Sequence, residues 1–118
     1  MPLRVEQVPL GPIGTNTYVV RADVSAQDAV VVDPSGDAAE LRLLLARLDA
    51  HCAAILVTHG HWDHLVGVAD LATGTEAPVH MAEGERELLE DPGRYAPPEL
   101  ALRGHTPDVL LRGGETLE

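Results

Sequence analysis

The sequence has 118 residues, enough for one domain around one core. Its formal charge of -11, set against eight basic residues that are all Arg, repels phosphate backbones and anionic lipid, which argues against nucleic acid or a membrane as partner. A single cysteine, Cys52, excludes an intramolecular disulfide and any Cys-x-x-Cys metal or redox motif.

The first residues, Met1 to Glu6, lack the long apolar core of a signal peptide, and no apolar run approaches the ~20 residues that cross a bilayer. The expected location is the cytoplasm. Leu3 to Val8 alternates apolar with charged residues and predicts a strand. Pro9 to Gly14 is turn material, and Asn16 to Arg21, rich in Thr, Tyr and Val, predicts a second strand. The pair reads as an antiparallel ladder joined by a loop rather than a tight hairpin. Ala29 to Val32 is a short continuous apolar run, which predicts a strand covered on both faces.

Asp33-Pro34-Ser35-Gly36-Asp37 breaks that strand and offers helix caps. Ala38, Leu41, Leu44, Leu45 and Leu48 then recur at helical spacing, predicting a helix over 38–48. Asp49-Ala50-His51 closes it, and Ala53 to Val57 is another apolar strand. Strand, helix, strand in this order implies a parallel crossover and an α/β fold. Beyond it the pattern predicts a helix over 65–72 with Gly74 past its end, and a strand over 78–81. An acidic helix over 83–90, a loop over 91–98, a strand over 108–111, a Gly113-Gly114 turn and the start of a further strand at Glu115 follow. Cys52, beside an apolar run, reads as a buried inert thiol.

Thr58-His59-Gly60-His61-Trp62-Asp63-His64 follows directly on the strand that ends at Val57. Four potential metal ligands, His59, His61, Asp63 and His64, fall within six residues, and three of the six histidines are here. Zinc accepts imidazole nitrogen and carboxylate oxygen, and a catalytic zinc needs about three protein ligands and one open position. In extended backbone His59 and His61 point the same way, and Gly60 frees the chain to bend around an ion. Asp63 and His64 are adjacent, so they suit a second ion or a turn that wraps one ion. Loops at the carboxyl ends of parallel strands are where α/β sheets place their sites. Trp62 reads as packing beneath this loop, His80 as structural, and His51 as a helix-end or solvated side chain.

The motif Thr58-His59-Gly60-His61-Trp62-Asp63-His64 resembles the H-x-H-x-D-H signature of the metallo-β-lactamase superfamily. Val31 to Asp37, Ile55 to Thr58 and the N-terminal Gly14-Thr15-Asn16-Thr17-Tyr18 extend the resemblance, most closely to glyoxalase II-like (hydroxyacylglutathione hydrolase-like) enzymes. The resemblance implies a four-layered αββα sandwich with a mixed sheet and flanking helices. It implies two divalent metal ions, zinc by expectation, with iron or manganese as alternatives. His59 and His61 match ligands of the first metal, and Asp63 and His64 ligands of the second. Asp33 matches a carboxylate that supports the site from behind. Asp63 is also the one candidate catalytic residue.

The implied chemistry is hydrolysis of a small thioester or ester by a metal-bound hydroxide. The sequence departs from the family in two ways. The family commonly places two glycines shortly after the last motif histidine, where Leu65-Val66-Gly67 keeps one. It also supplies a further His, a bridging Asp and a final His downstream. Gly104-His105-Thr106-Pro107 resembles part of that later motif but lacks its second His, so His105 reads as a loop residue. The chain is therefore expected to be a single domain over 1–118 that is incomplete at its C-terminus. Two alternatives follow: an inactive metal-binding half-domain open to self-association, or a single-iron persulfide dioxygenase-like protein.

Overall fold

In a computed structural model of the chain, residues 3–23, 25–94, 96–97 and 102–113 are described. Alternating apolar residues set β1 (Arg4–Leu10) and β2 (Thr15–Arg21), which pair antiparallel from Arg4 opposite Arg21 to Leu10 opposite Thr15. The connection is the turn at 11–14, closed by the Gly14 N–H on the Gly11 carbonyl at 3.3 Å. β1 thus runs on through Pro9, and the looser loop expected from Pro9 is corrected to a tight turn. Pro9 is tolerated because β1 is an edge strand.

β3 (Asp28–Val32) pairs antiparallel with β2. α1 (Ala38–Arg47) then crosses to β4 (His51–Val57), which lies parallel to β3, as the apolar pattern predicts. Asp37 caps α1 by accepting the Ala39 N–H at 2.7 Å, worth about 1 kcal/mol. β4 begins at His51 rather than Ala53, so His51 belongs to a strand and not to the helix end. The parallel strands β5 (Val79–Ala82) and β6 (Val109–Leu111) complete one mixed sheet of order β1-β2-β3-β4-β5-β6.

Two helices differ from expectation. The segment after the histidine motif opens with a short 3₁₀ turn, Trp62–His64, and the helix proper is α2 (Val68–Thr75). Gly74 lies inside α2. The Glu76 N–H closes the last turn on the Ala72 carbonyl at 2.8 Å, the Thr75 hydroxyl bonds back to the Leu71 carbonyl at 2.7 Å, and the chain leaves through Glu76 at φ 60°. The acidic helix expected over 83–90 is split into a 3₁₀ turn, Glu83–Glu85, and α3 (Arg86–Glu90). The strand expected from Glu115, and Gly114 before it, lie outside the described residues.

One face of the sheet carries the core. Val19, Val31, Ile55, Val57, Val79 and Met81 are buried there against Leu41 and Leu45 of α1 and Val68 and Leu71 of α2. Each fully buried aliphatic side chain contributes roughly 2 kcal/mol. The other face presents Val20, Val30, Val32, Leu56 and His80, all only half-buried. β3 is therefore covered on one face, not both, because α1 and α2 lie side by side over the same side of β4. No helix among the described residues is long and apolar enough to cross a membrane.

Candidate metal centre

The site is built where the loops after β3 and β4 meet. They are tied at their roots by the Asp33 N–H, which donates to the Leu56 carbonyl at 2.9 Å. Asp33 turns the chain at φ 52°, a left-handed conformation that Asp accepts more readily than most residues. The residue is 3% exposed, and its carboxylate accepts three hydrogen bonds. The Thr58 N–H reaches Oδ1 at 2.7 Å, the Thr58 hydroxyl reaches Oδ2 at 2.6 Å, and His64 Nδ1 reaches Oδ2 at 2.8 Å.

The loop carrying Asp33 is itself fixed from β2. The Thr17 hydroxyl donates to the Asp33 carbonyl at 2.8 Å, and the Ser35 hydroxyl donates to the Thr15 carbonyl at 2.8 Å. Gly67, the one glycine kept after the motif, donates its N–H to the Pro34 carbonyl at 2.8 Å. A Cβ at Gly67 would stand 2.2 Å from the Gly36 carbonyl oxygen, so this position admits no side chain. Val66, beside it, is half-buried.

The motif side chains lie around His59, with the His61 and His64 rings 6.5 Å apart on either side. The rings of His59 and His61 lie 4.6 Å apart between centroids, and those of His59 and His64 3.9 Å apart. The 3₁₀ turn does what regular structure cannot for adjacent residues: it brings Asp63 Oδ2 to 3.6 Å from His64 Nε2. Two ligands of one tetrahedral zinc stand roughly 3.3 Å apart, given bonds near 2.1 Å. Thr15, at the start of β2, holds the same Asp63 oxygen with its hydroxyl at 2.6 Å. The donor set, three imidazoles and a carboxylate, is the chemistry that zinc, iron or manganese accepts, so these residues fit a divalent metal.

Among the described residues, Asp33, His59 and His64 also form a group whose donor atoms all lie within 4.8 Å of one another. The Asp33 oxygens in that group already accept three hydrogen bonds from the loop after β4. His61 and Asp63, two of the four expected ligands, fall outside that group, as do His51, His80 and His105. His80 Nδ1 lies 3.4 Å from the Ile55 carbonyl in the sheet, and His105 is tied through its main-chain N–H to the Leu89 carbonyl at 3.1 Å.

Gly60 has a different purpose from the one its position suggests. A Cβ there would stand 2.5 Å from Leu88 of α3, so the glycine lets that helix close over the motif. The Gly60 N–H is held by Glu85 Oε1 at 3.2 Å. Together Gly60, His61, Trp62, Asp63 and Leu88 line a cleft of about 290 Å³. Trp62 therefore borders open space rather than packing beneath the loop. A cleft of similar size, about 300 Å³, between β1 and α1 has no histidine in its lining. Burial pushes the Cys52 thiol up, which keeps it protonated and unreactive. Thr15, Thr58, Glu85 and Leu88 were not singled out by residue chemistry; only Thr15 and Thr58 lie in motifs that carry the family resemblance.

Comparison with known proteins agrees with this geometry. The chain is 42% identical over 85 residues, 71% of its length and 34% of the relative's, to a hydroxyacylglutathione hydrolase of Bdellovibrio bacteriovorus. The crystal structure of BLEG-1, described as a B3 metallo-beta-lactamase, superposes with a TM-score of 0.85 at 35% identity, covering 98% of this chain and 56% of that one. TTHA1623, solved in a di-iron-bound form, superposes with a TM-score of 0.72 at 28% identity, covering 93% of this chain and 54% of that one. The chain thus spans about half or less of these proteins' own length. The model of the metallo-beta-lactamase superfamily matches residues 10–117, and the chain belongs to that superfamily.

Proposed function

We propose that this chain carries the metal-binding portion of a zinc-dependent hydrolase of small thioesters or esters, of the glyoxalase II type. The observation that carries the reading is the cluster of Asp33, His59 and His64, with His61 and Asp63 next to it on a cleft lined by Trp62 and Leu88. The similarity to a hydroxyacylglutathione hydrolase supports the thioester over other substrates of the superfamily.

In this reading His59 and His61 hold the first of two divalent ions, and Asp63 and His64 hold the second. A bound divalent cation supplies an acidified water and polarises a carbonyl. The protein supplies the geometry: Asp33 fixes His64, Thr15 fixes Asp63, and Glu85 fixes the main chain at Gly60. Trp62 and Leu88 offer apolar surface to the acyl part of the substrate and exclude water from that side of the cleft.

The test is metal content together with hydrolysis of S-lactoylglutathione, measured on the chain and on His59→Ala/His61→Ala. Bound zinc and turnover, both lost in the variant, are expected. Zinc retained in full by the variant would overturn the reading. A second reading, a metal-binding half-domain without turnover, is favoured by the ligand count, since two catalytic ions need about three protein ligands each. Tight binding of two zinc ions with turnover would exclude it.

A further inference from the structure

The hydrogen bonds of Thr58 point to a role that its place in the fold does not require. Thr58 is exposed as a residue, so its burial does not demand that the hydroxyl find more than one protein partner. It has two. Oγ1 lies 2.6 Å from Asp33 Oδ2 and 3.0 Å from His59 Nδ1.

Proton counting orients the chain of bonds. A carboxylate oxygen can only accept, so the single hydroxyl proton of Thr58 goes to Asp33. The hydroxyl oxygen can then only accept from His59, which places the ring proton on Nδ1. The lone pair of His59 is left on Nε2. The same logic applies to His64, whose Nδ1 donates directly to Asp33 Oδ2 at 2.8 Å. One buried oxygen therefore sets two imidazoles, one by contact and one through a hydroxyl, and leaves both Nε2 lone pairs free. The two ring centroids are 3.9 Å apart.

We propose that Thr58 is a positioning residue, a hydroxyl relay through which Asp33 selects the metal-binding tautomer of His59. The consequence for metal binding rests on the metal-site reading above; the tautomer itself does not. A neutral histidine side chain free in water favours the opposite tautomer, with the proton on Nε2. Without the relay, a metal would have to displace that proton at His59 and turn a mobile ring. The fold contribution of Thr58 is separable, because its N–H bond to Asp33 Oδ1 at 2.7 Å belongs to the main chain and survives any side chain except proline.

The experiment compares Thr58→Val, which keeps the branched shape and loses the hydroxyl, with Thr58→Ser, which keeps the hydroxyl. Zinc affinity is read by competition with a chromophoric chelator. Thr58→Val is expected to bind about 10–100-fold more weakly, as for loss of other partners behind metal ligands, and Thr58→Ser within about 3-fold of the parent chain. Long-range 15N–1H correlation spectra of the metal-free chain, recorded above the usual imidazole titration range, read the tautomer directly. His59 is expected as the Nδ1–H form in the parent and in Thr58→Ser, and as a mixture in Thr58→Val. A parent spectrum showing His59 as the Nε2–H form would overturn the relay with no variant needed, as would equal zinc affinity in all three chains. If the parent binds no zinc, the metal-site reading fails, while the parent spectrum still decides the relay.

Discussion

Two loops meet at the site, and they are made differently. The loop after β3 is closed: Asp33 is 3% exposed and Ser35 fully buried, and their polar atoms are bonded to β2 or to the facing loop. The loop after β4 is open: His59 and His64 are half-buried, His61 is exposed, and each bonded imidazole uses only Nδ1 within the loop pair. A metal ligand must keep a lone pair unused, which costs stability when it is buried without a partner. The division of labour answers that conflict. One loop satisfies its own polar groups and becomes rigid, and the other borrows that rigidity while leaving donor atoms free.

Substitutions can break or sharpen this contrast. The largest effect on metal binding is expected from His59→Ala/His61→Ala, a loss of more than about 100-fold in zinc affinity. The metal-free variant should unfold within about 0.5 kcal/mol of the parent in urea, since it removes no satisfied buried group. A large loss of stability would show that the open loop also supports the fold. Asp33→Ala should damage both properties. It strands the Thr58 N–H, the Thr58 hydroxyl and His64 Nδ1, and should cost about 3 kcal/mol in urea unfolding and about 10–100-fold in zinc affinity.

Smaller effects test the closed loop alone. Ser35→Ala removes the bond to the Thr15 carbonyl and should cost about 1–2 kcal/mol, with zinc affinity changed only a few-fold. A zinc effect as large as that of Asp33→Ala would mean the two loops are not separable. The smallest effect is expected at the opposite end of β4. Cys52→Ala should cost about 1 kcal/mol and leave zinc affinity unchanged, which calibrates how far loss of stability alone reaches the site.

The parts of the molecule that could be read from sequence are those governed by periodicity or ligand chemistry. The β3-α1-β4 crossover follows from an apolar run, a leucine stripe capped by Asp37, and a second apolar run. The ligand candidates stand out because imidazole and carboxylate at this density have few other uses. Asp33 was found through resemblance, since an Asp after a strand is equally a turn former. Thr58 and Thr15 carry no comparable signal. A hydroxyl has no periodicity, and its role depends on which carboxylate tertiary packing brings within 2.6 Å. The same holds for Gly60, whose purpose is set by Leu88 of α3, a helix 25 or more residues away. His51 belongs to β4 because that strand pairs from Asp28 opposite His51, a register fixed by β3 rather than by its own sequence.

The backbone angle at Asp33 has a consequence for how this position tolerates change. A saturation library at residue 33 would pass through two independent filters. The left-handed turn at φ 52° favours Gly, Asn and Asp, while the three donors aimed at the side chain demand an anion. Asn and Gly satisfy only the first filter, and Glu only the second. Aspartate alone satisfies both, so selection for folding and selection for metal retention should each enrich a different set of survivors, with one residue common to the two.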